Sequence, residues 1–337
     1  AGSTSDINLH YFRNLGIFPV AFCDNSSEKI GNMVEDVKIV SLEQAKECYP
    51  EAYYYITTQL FYGPIKEQLL KNGIEAERIS EYDIICQFPW ESTCIDYYKK
   101  REQEIQSFYE GLGDEFSREV MKGRLLFLRT RNRKYVTSVR EKDQYFDRNL
   151  IDFKKVKCFV DAGMYIGDTI QSFIETTEGV YDKIYGFEPD EEIRSIAKNN
   201  LVDYDNIVVI PKATSDFNGS IQVEKTLGVM QTIEKGIFSE NAEADKTFEV
   251  CKIDDCLANR TQKIDMLKMD VEGAEMASLR GASEMIKSDR PIMAICVYHK
   301  EEDLLDIPAF VEGLGVKCRL YLRHYSDNQT ETVCYLI

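Results

Sequence analysis

Residues 157–170 read KCFVDAGMYIGDTI, and this stretch decides the fold of the second half of the chain. A short apolar run ends at Asp161, a turn with Gly163 and Gly167 follows, and Asp168 stands where a helix would need its cap. This order is typical of a buried parallel strand that passes through a tight turn into a helix N-terminus. Such a turn brings backbone N–H groups and a carboxylate to one edge of a sheet, where a nucleotide-like ligand can bind.

The sequence after residue 150 repeats this order of strand and helix. Further strand patterns cover residues 183–190, 207–216, 264–270 and 291–300, and an irregular polar stretch follows the second of them. The last two apolar segments, KCRLYLRHY and ETVCYLI, are separated by a turn-like SDNQ and are typical of a β-hairpin. The pattern predicts an α/β domain over residues 151–337, with a mostly parallel Rossmann-like sheet that ends in an antiparallel hairpin.

The first 95 residues show a weaker version of the same pattern. PVAFCDN, VKIV and AYYYITT predict strands, whereas LEQAKECY, capped by Ser41, and IKEQLLKNGI predict helices. Asp24 lies about twenty residues after Gly2, the spacing at which dinucleotide-binding folds place a ribose-binding acid. We therefore expect a smaller, incomplete Rossmann-like domain over residues 1–95, with its first strand missing. It would serve either as a nucleotide or sugar-nucleotide pocket or for oligomer contacts and substrate docking.

Over residues 96–150 the strand signal stops, and apolar and charged residues alternate at helical spacing. We expect a helical connector or lid here. The segment concentrates basic residues in an otherwise acidic chain: Arg118, Lys122, Arg124, Arg129, Arg131, Arg133 and Lys134. They form either a solvated helix face or, through Arg124, Arg129 or Arg131, a contact to a substrate phosphate or carboxylate.

The composition of the chain argues against several kinds of partner and binding site. A formal net charge of −17 over 337 residues argues against nucleic acid or an anionic membrane as the main partner, because both are polyanions. The ten cysteines include no C-x-x-C pair, and three histidines make a zinc site improbable. Without an apolar run near the roughly 20 residues of a membrane span, the sequence predicts a reduced, cytoplasmic protein with a small-molecule substrate.

Ligands of open α/β sheets bind outside the carboxyl ends of the strands. The predicted strands here end in acids or imidazoles, namely Asp161, Glu188, Asp216, Asp270, His299 and His324. Glu188 follows the glycine turn by one βα unit, where a carboxylate can accept both ribose hydroxyls. Asp161 lies under the turn, where it would hold an amino group or fix the loop, and Asp216 lies where an adenine amino group would be met.

The turn D-A-G-M-Y-I-G differs from the G-x-G-x-x-G of nicotinamide enzymes. Asp161 stands where such an enzyme normally has its first glycine. An acid at this position repels a pyrophosphate and suits a ligand with an ammonium group. S-adenosylmethionine is such a ligand, since it has adenosine at one end and an amino acid at the other.

Residues 158–337 resemble the FkbM-type family of S-adenosylmethionine-dependent methyltransferases. The matching segments are VDAGMYIGDT, GFEPD, IDMLKMDVEGAE and PIMAICVYHKEEDLLDIP, followed by YLRHY and ETVCYLI. The resemblance implies methyl transfer, most often to a hydroxyl of a sugar, nucleotide-sugar or natural product. We accordingly expect a cofactor site made of Asp161, Gly163, Tyr165, Gly167, Asp168, Thr169, Glu188, Pro189, Asp216 and Asp270.

A hydroxyl acceptor needs a base within hydrogen-bond reach. His299 is the first candidate, Asp270 the second and His324 the third, although either histidine could instead be an ordinary core residue. Asp270 with Glu272 is alternatively a site for a divalent metal that lowers the pKa of the acceptor, or Glu272 and Glu275 only favour the following helix dipole.

Two other functions remain open at this point. A nicotinamide-dependent oxidoreductase would use the same second domain, and the acid at position 161 speaks against it. A catalytically inactive nucleotide- or sugar-binding protein would use both Rossmann-like units to bind ligands or partners, including a second copy of the chain through the first domain.

Overall fold

The computed structural model of the chain describes residues 9–10, 12–13, 16–58, 61–83, 94–226, 229–232 and 246–337. The strands, in chain order, are β1 (Phe22–Cys23), β2 (Met33–Val34), β3 (Val37–Val40), β4 (Cys158–Ala162), β5 (Lys183–Phe187), β6 (Ile207–Ile210), β7 (Ala213–Thr214), β8 (Gly219–Thr226), β9 (Val229–Thr232), β10 (Lys246–Cys251), β11 (Met266–Met269), β12 (Ile292–Cys296), β13 (Leu320–His324) and β14 (Thr332–Leu336). The α-helices are α1 (Leu42–Cys48), α2 (Tyr62–Lys71), α3 (Cys94–Lys100), α4 (Glu102–Gly111), α5 (Glu115–Thr130), α6 (Lys134–Thr137), α7 (Asp168–Thr176), α8 (Glu191–Asn200), α9 (Ile253–Cys256), α10 (Glu275–Arg280), α11 (Ser283–Asp289) and α12 (Asp303–Gly313).

The main sheet has seven strands in the order β13-β14-β12-β11-β4-β5-β6. Strands β12, β11, β4, β5 and β6 are mutually parallel, and β14 is antiparallel to both β12 and β13. The predicted α/β class, with a mostly parallel sheet that ends in an antiparallel hairpin, is therefore confirmed. None of the described helices combines the length and the apolarity that a membrane crossing requires.

The central strands β4 and β11 are buried along their whole length. Helices cover both faces of a parallel sheet, so such strands are normally apolar throughout. Each of these two carries one ionisable exception, Asp161 and Lys268, and the register places the two residues directly opposite each other. Below the turn after β4, Phe159 stacks on Phe173 of α7 with ring centroids 4.5 Å apart, which fixes the helix against the strand.

The predicted strand over residues 207–216 is wrong in its second half. Pro211 follows β6 and has no N–H to donate to a neighbouring strand, so the pairing ends there. The chain then joins a separate four-stranded sheet of order β7-β10-β8-β9. The stretch expected to be irregular contributes β8 and β9 to this small sheet. Asp216 therefore follows β7 of the small sheet and does not end a strand of the main one.

The N-terminal unit contains a three-stranded sheet of order β1-β3-β2, in which only β1 and β3 are parallel. Ser41 caps α1 through a capping box with Gln44, as its position in the sequence predicts. The strand predicted in AYYYITT is reduced to one bridge, from Tyr54 to Ile79. Tyr54 is buried, and Tyr53 and Tyr55 on either side of it are exposed. Gly2, from which the spacing to Asp24 is counted, lies outside the described residues.

The helical segment packs on the hairpin side of the main sheet. Leu322 of β13 donates its backbone N–H to Ser117 Oγ of α5 (3.0 Å). Arg124 of the same helix is fully buried and donates to the carbonyl of Val297 (3.0 Å). Arg124 is thus neither the solvated residue nor the ligand-binding arginine that the sequence suggests, because its guanidinium serves the packing of the helix on the sheet.

Candidate functional site

The carboxyl ends of β4, β5 and β11 open into one cleft of about 1750 Å³. Its walls come from the turn after β4, the ends of β5 and β11, the small sheet and the start of α12. Of the residues predicted for the site, the cleft is lined by Gly163, Tyr165, Asp168, Thr169, Glu188, Pro189, Asp216, Asp270 and Glu272. The structure thus brings together most of the predicted set, at the edge where open α/β sheets bind ligands.

The glycine turn is held close to the end of β11. Gly163 has φ +82°, and a Cβ at this position would lie 1.9 Å from the backbone oxygen of Asp270. Gly167 has φ +84° and precedes α7 as its N-cap, with Leu201 packed where a side chain would project. Gly163 reaches the cleft, whereas Gly167 shapes the entry into the helix. Tyr165, also at positive φ (50°), is 55% exposed and lies at the mouth of the cleft.

Asp161 is fully buried beneath the turn and does not line the cleft. Its Oδ1 lies 3.0 Å from Nζ of Lys268, which is also buried. The same ammonium donates to the carbonyl of Gly163 (2.6 Å). Burial raises the pKa of Asp161, and Lys268 offsets part of that rise. Of the two roles considered for Asp161, this geometry favours fixing the loop over contacting a ligand, and it neutralises the charge that was expected to repel a pyrophosphate.

Lys268 was missed as a site residue. Burial alone would lower its pKa, but the carboxylates of Asp161 and Asp270 more than compensate, so the pKa lies above its usual range and the side chain is a cation. Its Nζ also lies 5.2 Å from the ring centre of Tyr145. The sequence did contain a sign of this role, because Lys268 stands inside an otherwise apolar predicted strand and a buried ammonium requires a buried acid.

Glu188 ends β5 with its side chain buried against the cleft. Its Oε1 accepts the backbone N–H of Asp190 (2.8 Å). Burial, opposed by that hydrogen bond, raises the pKa of the carboxyl to about 7. Asp216 lies across the cleft beside the small sheet, with an Oδ2 4.0 Å from the guanidinium of Arg280.

Asp270 follows β11 and is held by two tyrosines. Its Oδ2 accepts the hydroxyl of Tyr145 (2.7 Å), and its Oδ1 lies 3.5 Å from the hydroxyl of Tyr298. Tyr298 also donates to Glu331 (3.2 Å). Burial opposes ionisation of Asp270, but Lys268 and the neighbouring imidazole outweigh it and hold the pKa of this carboxyl below its usual range. Tyr145, at the end of the predicted helical connector, was not identified from the sequence as the partner of Asp270.

His299 lies behind the cleft wall. It is 5% exposed, and its ring nitrogens face three carboxylates. Nδ1 lies 3.0 Å from Oε1 of Glu275, and Nε2 lies 3.7 Å from Oδ1 of Asp270 and 3.5 Å from Oε2 of Glu272. Burial lowers the pKa of the imidazole, but Glu275, Glu272 and Asp270 together raise it well above its usual value. An acceptor in the cleft would meet Asp270 before it met His299.

His324, the third candidate base, is not brought to the cleft. It is fully buried at the end of β13, where Nδ1 lies 2.8 Å from the hydroxyl of Thr332. Burial and the nearby guanidinium of Arg124 lower its pKa to about 3. The ring is therefore neutral, and its position is that of a core residue of the hairpin.

The sequence model of the methyltransferase FkbM domain matches residues 161–318. No curated protein sequence matches the chain. Among solved structures, the chain is similar to methyltransferase FkbM from Methylobacillus flagellatus, with a TM-score of 0.70 and 20% identity over 95% of this chain and 84% of that one. At this identity the likeness shows the fold, and it extends over both halves of the chain.

More distant likenesses cover about half of the chain. An rRNA methylase from Streptococcus thermophilus gives a TM-score of 0.34 at 16% identity, over 54% of this chain and 85% of that one. Fibrillarin from Aeropyrum pernix, solved with bound S-adenosyl-L-methionine, gives a TM-score of 0.36 at 13% identity, over 56% of this chain and 69% of that one. Likenesses at TM-scores this low do not bear on the fold or the family of this chain.

Proposed function

Residues 161–318 belong to the FkbM methyltransferase domain family, and on this premise we propose that the chain is an S-adenosylmethionine-dependent methyltransferase acting on a hydroxyl oxygen. The acceptor class we propose is a sugar, a nucleotide-sugar or another small natural product. The observation that supports this most is the convergence of Gly163, Glu188 and Asp270 on one cleft at the carboxyl edge of the main sheet.

The cleft fits the cofactor in two respects. Gly163 lines the cleft, and its missing side chain lets the turn after β4 lie against the backbone of Asp270, which brings the turn and Asp270 to the same edge of the cleft. Glu188 is a buried carboxylate on the cleft wall, and its Oε1 accepts a hydrogen bond from the backbone N–H of Asp190. Two ribose hydroxyls would complete its hydrogen bonding. We therefore assign Glu188 to the ribose, the turn to the amino-acid end, and Asp216 to the adenine side.

Bound S-adenosylmethionine supplies an electrophilic methyl group on a sulfonium ion. The chain has to align the acceptor hydroxyl with that group in a site of limited water access. Asp270 reaches the cleft, and the Tyr145 hydroxyl fixes one of its oxygens, which leaves Oδ1 on the side of Glu272 and His299. We assign Asp270 to holding the acceptor hydroxyl and His299 to positioning Asp270.

Replacing Glu188 by glutamine tests the cofactor assignment. The amide keeps the shape but loses one acceptor oxygen and the charge, so we expect affinity for S-adenosylmethionine to fall at least tenfold in calorimetry. In wild-type protein the affinity should also weaken as the pH drops below about 7, because protonation removes the acceptor. Glu192→Gln, in the first turn of α8, is the matched control and should bind normally. Equal affinity in Glu188→Gln and wild type would contradict the assignment.

The same substitution should stabilise the protein without ligand. Glu188 has a folded-state pKa of about 7 against an ordinary 4.5, so ionising it in the native state costs up to about 3 kcal/mol. That cost is absent below pH 4.5 and grows as the pH rises to about 7. We therefore expect Glu188→Gln to raise the free energy of unfolding at pH 8, with little change at pH 4.5. Urea unfolding followed by circular dichroism measures both, and a destabilised variant at pH 8 would refute the prediction.

A nicotinamide-dependent oxidoreductase is the second candidate. The sequence speaks against it because an acid at position 161 would repel a pyrophosphate, but one contact in the structure weakens that objection. Lys268 neutralises Asp161 under the turn, so the acid no longer speaks against a pyrophosphate. NADH fluorescence titration distinguishes the two, since the methyltransferase proposal requires S-adenosylmethionine to bind and NADH not to bind at comparable concentration.

A further inference from the structure

A cluster of one imidazole and four carboxylates lies where the end of β11 meets the segment after β12. It consists of Asp270, Glu272, Glu275, His299 and Asp303. Asp270 and Glu272 line the cleft, Asp303 reaches its edge, and Glu275 and His299 are buried behind it. Four acids surround a single imidazole, and the ammonium of Lys268 is shared between Asp270 and Asp161. An excess of negative charge therefore stays in a largely buried place, and such an excess is normally balanced by a cation or by protons.

We propose that Asp270, Glu272 and His299 bind one divalent cation of the Mn²⁺ type at the wall of the cleft. Their ligand atoms Oδ1, Oε2 and Nε2 lie within 4.8 Å of one another. Carboxylate oxygens with one imidazole form a donor set that suits Mn²⁺. An ion about 2.1 Å from two ligands at right angles holds them about 3 Å apart. In the structure, Nε2 of His299 lies 3.7 Å from Oδ1 of Asp270 and 3.5 Å from Oε2 of Glu272. Binding the ion would therefore bring each oxygen about 0.5–0.7 Å closer to Nε2.

The buried carboxylate of Glu275 is the independent support for this site. It is fully buried, and its Oε1 lies 3.0 Å from Nδ1 of His299. Metal-binding histidines usually donate their second ring N–H to a carboxylate, which fixes the tautomer and turns the other nitrogen toward the ion. Here Glu275 would hold the proton on Nδ1 and leave the lone pair of Nε2 facing Asp270 and Glu272. Within the described residues, Oε2 of Glu275 accepts no hydrogen bond, and Oε1 is the oxygen that contacts the imidazole.

Side-chain contacts hold Asp270 and the turn after β11 in place beside His299. Oε1 of Glu275 accepts the N–H of Val271, which ties the start of α10 to the turn between the two ligands. Oδ2 of Asp270 is engaged by Tyr145, so its Oδ1 is the oxygen on the side of His299. Glu272 is 59% exposed at its side chain and can swing onto an ion without displacing other residues.

The open side of this site faces the cleft. Three protein ligands leave about three further positions for an octahedral ion, and those positions point to the space that the acceptor would occupy. A cation here prefers oxygen donors, so Asp270 would hold the acceptor hydroxyl through the ion, and an acceptor with two neighbouring hydroxyls would bind the ion through both. This last step rests on the proposed methyl transfer, whereas the cation site itself rests on the geometry of the cluster.

Titration with Mn²⁺ alone, without cofactor or acceptor, tests the site. Electron paramagnetic resonance should show one bound ion per chain, and electron–nuclear double resonance should show one nitrogen ligand. We expect Glu272→Gln and His299→Ala to weaken binding at least tenfold, with the nitrogen signal lost only in His299→Ala. Glu275→Gln, which changes the partner of the far ring nitrogen and removes no ligand of the ion, should weaken binding by about 10–100-fold. Glu302→Gln, on the same cleft wall outside the cluster, should bind as wild type does.

The outcomes separate this proposal from the proposed function. No stoichiometric Mn²⁺ binding at millimolar concentration, or unchanged binding in both Glu272→Gln and His299→Ala, would overturn the cation site. Glu272 is mostly exposed, so its substitution keeps the test valid if His299→Ala fails to fold. S-adenosylmethionine binding is measured separately, in buffer with a chelator. If S-adenosylmethionine does not bind, the methyltransferase assignment is overturned and the Mn²⁺ result stays intact.

Discussion

Replacing Lys268 by methionine should lower the free energy of unfolding by about 3–5 kcal/mol at pH 7. The side chain is nearly isosteric, so the change removes the ammonium and little volume. Asp161, which is fully buried, would then lose the cation 3.0 Å away, and the carbonyl of Gly163 would lose its donor. Urea unfolding followed by far-ultraviolet circular dichroism measures the loss. A change below about 1 kcal/mol would show that the pair contributes little.

The dependence of this loss on pH identifies its cause. Without Lys268, burial raises the pKa of Asp161 further, and the carboxyl escapes the cost by taking up a proton. The difference in stability between wild type and Lys268→Met should therefore shrink as the pH falls toward 5. The double variant Asp161→Asn with Lys268→Met removes both charges and should be more stable than the sum of the two single changes predicts. Simple addition would contradict the pairing.

The architecture of the main sheet could be predicted from sequence because each central strand is an apolar run followed by a turn and a helix. The hairpin likewise followed from two alternating segments around SDNQ. The small sheet could not be predicted, since β8 and β9 lie in a polar stretch whose strands form only where they pair with β10 and with each other. Pro211 was the available sign that the predicted third strand breaks.

The sequence predicts which residues lie near the site, because they come at the ends of predicted strands. It predicts much less well what each of these residues does. Both Asp161 and Glu188 were predicted as strand ends. In the structure Asp161 lies inside β4, opposite Gly186, and is paired under the turn, whereas Glu188 follows β5 and faces the cleft. The pairing of Asp161 depends on Lys268, which lies 107 residues after it and meets it only through the register of β4 and β11. Tyr145 reaches Asp270 through a loop whose path the sequence does not encode in any periodic pattern.

Exchanging Gly163 for alanine should both destabilise the fold and abolish cofactor binding. The added methyl group would lie 1.9 Å from the backbone oxygen of Asp270, and backbone cannot rotate aside as a side chain can. The residue also has φ +82°, which costs a residue with a Cβ about 1–2 kcal/mol. With about 1–3 kcal/mol for forcing atoms into a filled space, we expect a loss of about 2–5 kcal/mol in urea unfolding.

Gly179→Ala separates the two contributions, because Gly179 has φ +74° but nothing within 4 Å of its added Cβ. This control should show only the conformational cost and should bind S-adenosylmethionine normally in calorimetry. The excess loss in Gly163→Ala then measures how tightly the turn after β4 is pressed against the end of β11. If the two variants are equally stable and bind equally well, the contact between Gly163 and Asp270 is not needed to shape the cleft. If Gly163→Ala alone loses binding, the turn positions Asp270 and the cofactor edge as one unit.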